Sequence, residues 1–394
     1  MSRIVILDAR RTPIGKFLGG LSSLSAADLG VAVVEPLLQR AGLDPSEVSE
    51  LIFGCARQAG GGPNVARQVA VRSGISESST ALTVNMACGS GLLALIAGRD
   101  AIATAEASMM VVGGTESMSR LPYYIEGLRD GLRLGQGELV DGMYRDGFHC
   151  PLADQLMGGT AENLAQEYDI SREEQDTYAV ESQRRCQVAR EEGRFASEIE
   201  PVEVRQRKGT ITVDKDEHPR DDVTIDGMAK LKPVFKEDGT IHAGNASGIT
   251  DGAAALLIAS EETATRLGLE PIAIVGASAR AGVEPRRMGI GPVPAIAKLL
   301  EKTGATLADF DLIELNEAFA AQVIACDREL SLDRERLNVN GGAIALGHPI
   351  GATGARIVVT LVHELRRRGG GRGLATLCIS GGQGLALDVE VLAP

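Results

Sequence analysis

Two distant stretches of the chain repeat one pattern. TVNMACGSGLLAL from Thr83 and NVNGGAIALGHPIG from Asn338 each run from a Val-Asn strand end into a glycine turn and then a helix. Each is followed by a strand expected to close on a double glycine, Gly113-Gly114 in the first region and Gly381-Gly382 in the second. SEVSELIFG and ADFDLIELN add a looser echo. Self-similarity at this scale marks an internal duplication of one α/β unit. A pseudo-twofold pair of such units brings the two glycine turns together at the ends of their sheets, where α/β proteins usually hold ligands.

The rest of the chain supports that reading. RIVILDA, LSAADLGVAVVEPLLQRAG, ELIFGCA, TALTVNMA, a long apolar helix to about residue 105, and SMMVVGG alternate short apolar runs with helical periods, the signature of layered α/β architecture. From Ser119 to about Gly248 the character changes to charged helices such as SREEQDTYAVESQRRCQVAREEGRF and the polar strand-like piece KGTITVDKDEHPR. This division gives an N-terminal half over 1–118, to which about 249–270 return, an inserted domain over 119–248, and a C-terminal half over 271–394.

Composition excludes several classes of function. With 394 residues, 44% of them apolar, the chain is long enough for more than one sizeable core. A formal charge of -13 works against nonspecific attraction to nucleic acid or anionic lipid, so an anionic ligand needs a local basic patch. No stretch is apolar enough to span a membrane, and MSRIVILDARRTPIG enters a strand pattern directly, so a cytoplasmic protein is expected. Cysteines at 55, 88, 150, 186, 326 and 378 show no C-x-x-C and no metal-ligand spacing, which fits free thiols and no metal.

Four residues stand out chemically. Cys88 lies between a strand end and a helix N-terminus, where the helix dipole and free backbone N–H groups favour thiolate, and Gly89, Ser90 and Gly91 open the backbone to a substrate. Cys378 ends the strand LATLCI beside the turn Ser380-Gly381-Gly382-Gln383-Gly384. Taken singly, each cysteine also reads as a small core residue. His348 has no acid, lysine or cysteine for several residues on either side, so its partner is expected from a distant segment. A phosphate-loop reading through Gly347, Gly351 and Gly354 is weak, because no G-K-[ST] follows. Asn316 is a polar residue at an apolar strand end that reads either as a helix cap or as a site residue, with Glu317 beside it in a structural role.

VNMACGSG, VVGGTESMS, NEAFAAQ, NVNGGAIALGHPIGATGAR and LCISGGQG, in this order and spacing, resemble the signatures of the thiolase family, the acyl-CoA acetyltransferases. The similarity spans essentially the whole chain, including MGGTAENLAQEYDISREEQD and AGNASGITDGAAALL. It implies an α/β fold of five layers, αβαβα, made of two duplicated halves plus an inserted CoA-binding loop domain, assembled as a homodimer or homotetramer. It implies Cys88 as the nucleophile that carries the acyl group, His348 as its base, and Cys378 as acid/base for the second substrate. Asn316 would hold a water that forms an oxyanion site with His348, and the backbone N–H groups of Cys88 and Ser380 would form another.

For CoA, which is a substrate and leaves no cofactor to be supplied, the resemblance points to Ser247 at the pantetheine and Arg220 beside the adenine, with Lys208 and Lys215 adding to a cationic patch. Met157, Phe235, Met288 and Phe319 match apolar pocket positions. Two departures appear: Ser380 stands where the family usually has glycine, and Leu156 precedes Met157 where many short-chain members have histidine. The expected reaction interconverts acetyl-CoA plus acyl-CoA with 3-ketoacyl-CoA plus CoA. A decarboxylating ketoacyl synthase would not need a second thiol such as Cys378, and a silent acyl-CoA carrier would not need Cys88 and His348 together.

Overall fold

The computed structural model describes residues 3–394. Its first half begins with strand β1 (Ile4–Arg11), helix α1 (Ala26–Ala41), strand β2 (Glu50–Gly54), helix α2 (Val65–Arg72), strand β3 (Thr80–Val84), helix α3 (Ser90–Ala103) and strand β4 (Met109–Ser117). Local sequence sets the ends of these elements. Helix α1 starts at a capping box in which Ser25 and Asp28 satisfy each other's backbone N–H, and it stops at Gly42 in the left-handed region, φ 60°. Helix α3 is apolar nearly all round, as a helix enclosed on every side must be.

After β4 the chain leaves the layers through helices α4 (Met157–Glu167) and α5 (Arg172–Glu191) and a hairpin of Val202–Gln206 with Gly209–Val213, then returns as β5 (Thr250–Ser260). The buried Arg11 guanidinium anchors this excursion to the end of β1 through Glu198 at 2.6 Å and Asp216 at 2.7 Å. The second half follows as β6 (Ala273–Gly282), α6 (Pro292–Thr303), β7 (Leu312–Leu315), α7 (Ala320–Leu330), α8 (Ile350–Arg367), β8 (Gly371–Ile379) and β9 (Gln383–Val391).

The halves repeat each other strand by strand. In the first, β2 pairs parallel with β3 and β4, β4 antiparallel with β5, and β5 antiparallel with β1. In the second, β7 pairs parallel with β8, β8 antiparallel with β9, and β9 antiparallel with β6. A parallel bridge from Ile313 to Leu337 stands where β3 stands in the first half. The two sheets join edge to edge where Val5 meets Ile274 and Ile6 meets Ala273. What the first half does with the long excursion between Ser117 and Thr250, the second does with the tight turn Ser380–Gly382.

Residue alternation along the strands sorts side chains into layers. Along β5, Ala254, Leu256 and Ile258 join a central core with α3 and α8, while Ala253, Ala255, Leu257 and Ala259 join an outer core with α1 and α2. A third core packs α6, α7 and α4 over the other sheet. The order is therefore helices, sheet, the central pair α3 and α8, sheet, helices, which is the expected five-layered αβαβα arrangement.

One expectation is corrected. Gly113-Gly114 does not close its strand but lies within β4, where a Cβ on Gly113 would meet the Ala254 carbonyl at 2.1 Å and one on Gly114 the Gly351 carbonyl at 2.1 Å. Close backbone approach requires those glycines, whereas Gly381 and Gly382 turn the chain with φ 86° and 85°.

Candidate active site

The duplication places Cys88 and His348 at equivalent points, each two residues before the first residue of its central helix, Ser90 of α3 and Ile350 of α8. Glycine contacts lock these helix starts together. A Cβ on Gly91 would lie 2.8 Å from the Ala355 nitrogen and 3.0 Å from the Gly351 carbonyl, and one on Gly354 would lie 2.3 Å from the Leu92 nitrogen. Packing this close brings the two pre-helix residues to one place, a cavity of about 510 Å³ whose lining includes Cys88, His348, Cys378 and Ser380.

Cys88 follows Ala87, whose φ of 45° is left-handed, so the chain turns sharply just before the thiol. Ser90 holds that turn by accepting from the Met86 N–H at 2.9 Å and donating to the Ala87 carbonyl at 2.7 Å. The backbone N–H groups of Ser380 and of Cys88 itself act to lower the thiol. Burial nevertheless outweighs them and Arg57, and the thiol sits above its ordinary value. The helix start alone does not ionise it, contrary to the expectation from the dipole. Cys378, fully buried at the end of β8, is pushed up further by burial and by the neighbouring Cys88.

His348 finds its first partner close by in the chain, which corrects the expectation of a distant one. Its Nδ1 lies 2.7 Å from Thr353 Oγ1, and that hydroxyl lies 3.0 Å from the Pro349 carbonyl. The carbonyl can only accept, so the hydroxyl proton goes there, and Thr353 must accept from the ring. Nδ1 therefore carries the proton and Nε2 the lone pair. Nε2 is buried without a protein partner. Burial, with Arg356 and Arg57 nearby, lowers the ring to about 3, so it stands as a neutral base. Thr353 was legible only as a threonine one turn inside the following helix.

Asn316 stands just past β7 and is not among the side chains that line the cavity, although Ala318 and Phe319 are. It caps no helix: Phe319 holds the N-cap position of α7, and both Asn316 amide atoms are buried without a protein partner. Glu317 is structural, accepting from Tyr178 at 2.9 Å, Ser182 at 2.7 Å, Asn338 at 3.0 Å and the Ile344 N–H at 3.1 Å. It thereby ties α5 to the glycine-rich segment that ends in His348. Glu116, which the sequence did not single out, does the equivalent work in the first half by accepting from the Ala56, Arg57 and Gly351 N–H groups at 3.1, 2.9 and 2.8 Å.

Met157, Arg220, Phe235, Ser247, Met288 and Phe319 all line the same cavity, with Phe235 and Phe319 packed edge to face at 6.2 Å. Leu156 does not line it, and neither do Lys208 and Lys215; the cations that do are Lys16, Arg57 and Arg220. The two lysines fall on or just beyond the Val202–Val213 hairpin, whose buried valines pack on the outer core of the first half.

The thiolase N-terminal domain model matches residues 4–262 and the thiolase C-terminal domain model residues 269–391. The chain belongs to the thiolase family. The acetyl-CoA acetyltransferase of Pseudomonas aeruginosa is 51% identical over 390 residues, covering 99% of both chains. The crystal structure of the Bacillus anthracis acetyl-CoA acetyltransferase superposes with a TM-score of 0.98 at 45% identity, over 100% of this chain and 99% of that one. Human mitochondrial 3-ketoacyl-CoA thiolase in complex with CoA gives 0.96 at 43% identity, over 100% of this thiolase and 98% of that chain.

Proposed function

We propose that this thiolase transfers acyl groups between CoA thioesters through Cys88, with His348 and Cys378 as the other reacting groups and Asn316 as an oxyanion support. His348 Nε2 takes the proton from Cys88, and the sulfur attacks the thioester carbonyl. CoA leaves as its thiol with that proton, and the acyl group stays on Cys88. His348 Nε2, free again, takes the proton of Cys378, and the Cys378 thiolate removes a proton from the methyl carbon of acetyl-CoA. The resulting enolate attacks the acyl carbonyl, and Cys88 departs as a thiolate that recovers its proton from His348, leaving a 3-ketoacyl-CoA. Thiolysis is the same sequence reversed.

The neutral resting state suits this chemistry. A neutral thiol and a neutral imidazole in one largely apolar cavity cost less than an ion pair there, and charge is formed only during reaction, when fixed donors stabilise it. The N–H groups of Cys88 and Ser380 serve the acyl carbonyl, and a water held by Asn316, together with protonated His348, serves the enolate oxygen. The replacement of glycine by Ser380 leaves its backbone N–H available. Arg220 and Ser247 hold CoA, with Met157, Phe235, Met288 and Phe319 around the pantetheine and acyl chain. The excursion over 119–248 is the CoA-binding domain, and the working form is a cytoplasmic homodimer or homotetramer.

One observation carries the reading: two thiols and an imidazole with an unused Nε2, from three separate segments, line one cavity. The test is CoA-dependent cleavage of acetoacetyl-CoA and longer 3-ketoacyl-CoAs by the purified protein. Cleavage with an acylated Cys88 peptide supports it, and absence of cleavage across the series refutes it.

A further inference from the structure

Arg57 has no part in the chemistry above, yet it lines the catalytic cavity. Its position is fixed at both ends. The backbone N–H donates to Glu116 at 2.9 Å, and Nη2 donates to the Gly147 carbonyl at 2.9 Å. Gly147 packs so close that a Cβ there would lie 2.7 Å from Arg57 Nε. Nε is buried with no acceptor, and among the described residues Arg57 forms no ion pair. Glu116 is the nearby carboxylate, but its oxygens are taken by three backbone N–H groups and the Cys55 thiol.

A guanidinium held this way is a cation with most of its donors unspent, and such a group gains most from an anion that takes two N–H groups at once. Its field reaches Cys88 and His348, whereas the field of Arg220 is felt at His218. Arg57 thus serves the thioester end of the cavity. The phosphates of a bound CoA cannot be its partner there, because the pantetheine arm separates them from the thioester sulfur. The surroundings are otherwise apolar: Ala56, Met118, Met143 and Ile350 pack with Phe148 and Cys88. An anion reaching Arg57 must arrive on the acyl group.

We propose that Arg57 selects acyl groups that end in a carboxylate a few carbons beyond the thioester. This rests on the thiolase reading of the site and narrows its substrate class to short dicarboxylic acyl chains. The carboxylate would take the free N–H groups of Arg57 while its methylenes lie along Phe148 and Ile350.

Two measurements test it. The first compares kcat/KM for thiolysis of 3-oxoadipyl-CoA with that for 3-oxohexanoyl-CoA, which has the same length but a methyl end. The wild type should favour the carboxylate substrate; R57L should lower the ratio by ~10- to 100-fold, the worth of a charge-assisted pair, and R57K should lower it less. Equal loss on both substrates would mean that Arg57 acts on Cys88 or on the fold, and would overturn the proposal. So would a wild type with no preference for the carboxylate.

The second measures calorimetric binding of succinyl-CoA and butyryl-CoA to C88A, with and without R57L. Tighter succinyl-CoA binding that R57L removes supports the role of Arg57 even if turnover fails and the reaction has to be reconsidered. Equal binding of the two thioesters to C88A overturns it even if acetoacetyl-CoA is cleaved.

Discussion

Thr353 accepts a hydrogen bond from the Nδ1–H of His348 across 2.7 Å and donates its own hydroxyl to the Pro349 carbonyl, so one threonine fixes the tautomer of the ring. Without that acceptor the buried ring could turn over or carry its proton on the wrong nitrogen.

Thr353→Val keeps the shape and removes the acceptor. The expected result is a ~10- to 100-fold slower acylation of Cys88, matching the ~1–3 kcal/mol cost of a buried donor left unpaired. Thr353→Ser should recover most of the rate. Time-resolved mass spectrometry of the acyl-enzyme reads both; unchanged acylation in the valine variant would show that the tautomer is held by something else.

Cys378→Ala should separate the two half-reactions. Acylation of Cys88 by acetyl-CoA proceeds, while condensation and thiolysis fall by ~10²–10⁴, the usual contribution of a positioned acid/base. Cys88→Ala should abolish the acyl-enzyme itself. Loss of acylation in the Cys378 variant would assign that thiol to the first step.

Asn316→Ala should lower kcat by ~10²–10³ if the amide supports an oxyanion. Neither amide atom bonds to the protein, so the substitution should change stability by no more than about 1 kcal/mol. Turnover and urea denaturation measured together decide it. A large stability loss with little change in kcat would make Asn316 a packing residue.

Acid should destabilise the fold through His348. The native ring titrates at about 3 because it is buried, against 6.5 when exposed. Between those values the unfolded chain binds a proton that the native one refuses, so stability rises with pH there. The contribution is complete above pH 6.5 and is lost as pH falls toward 3, a few kcal/mol in all. Denaturation midpoints of the wild type should therefore fall more steeply from pH 6.5 to pH 4 than those of His348→Gln; parallel curves would contradict this.

Much of the architecture is readable in the sequence. The V-N-turn-helix repeat foretold the duplication, because a strand entering a helix through glycine leaves a local pattern that survives without its surroundings. The double-glycine echo misled, since Gly113 and Gly381 share composition but not cause: one admits a neighbouring backbone, the other turns the chain. Lys208 and Lys215 misled similarly. Closeness to Arg220 in the chain says nothing about which side of a hairpin faces a cavity.

The chain alone therefore determined the α/β alternation, the paired halves, the excursion inserted in the first of them and the candidates for the reactive groups, because each is written in spacing and residue type. Only the tertiary structure decided which nitrogen of His348 is free, that Cys88 rests as a neutral thiol, and that Arg57 faces the same hollow. Those properties depend on burial and on contacts between segments far apart in the chain. Desolvation and hydrogen-bond geometry exist only once the two central helices have closed on each other through Gly91 and Gly354.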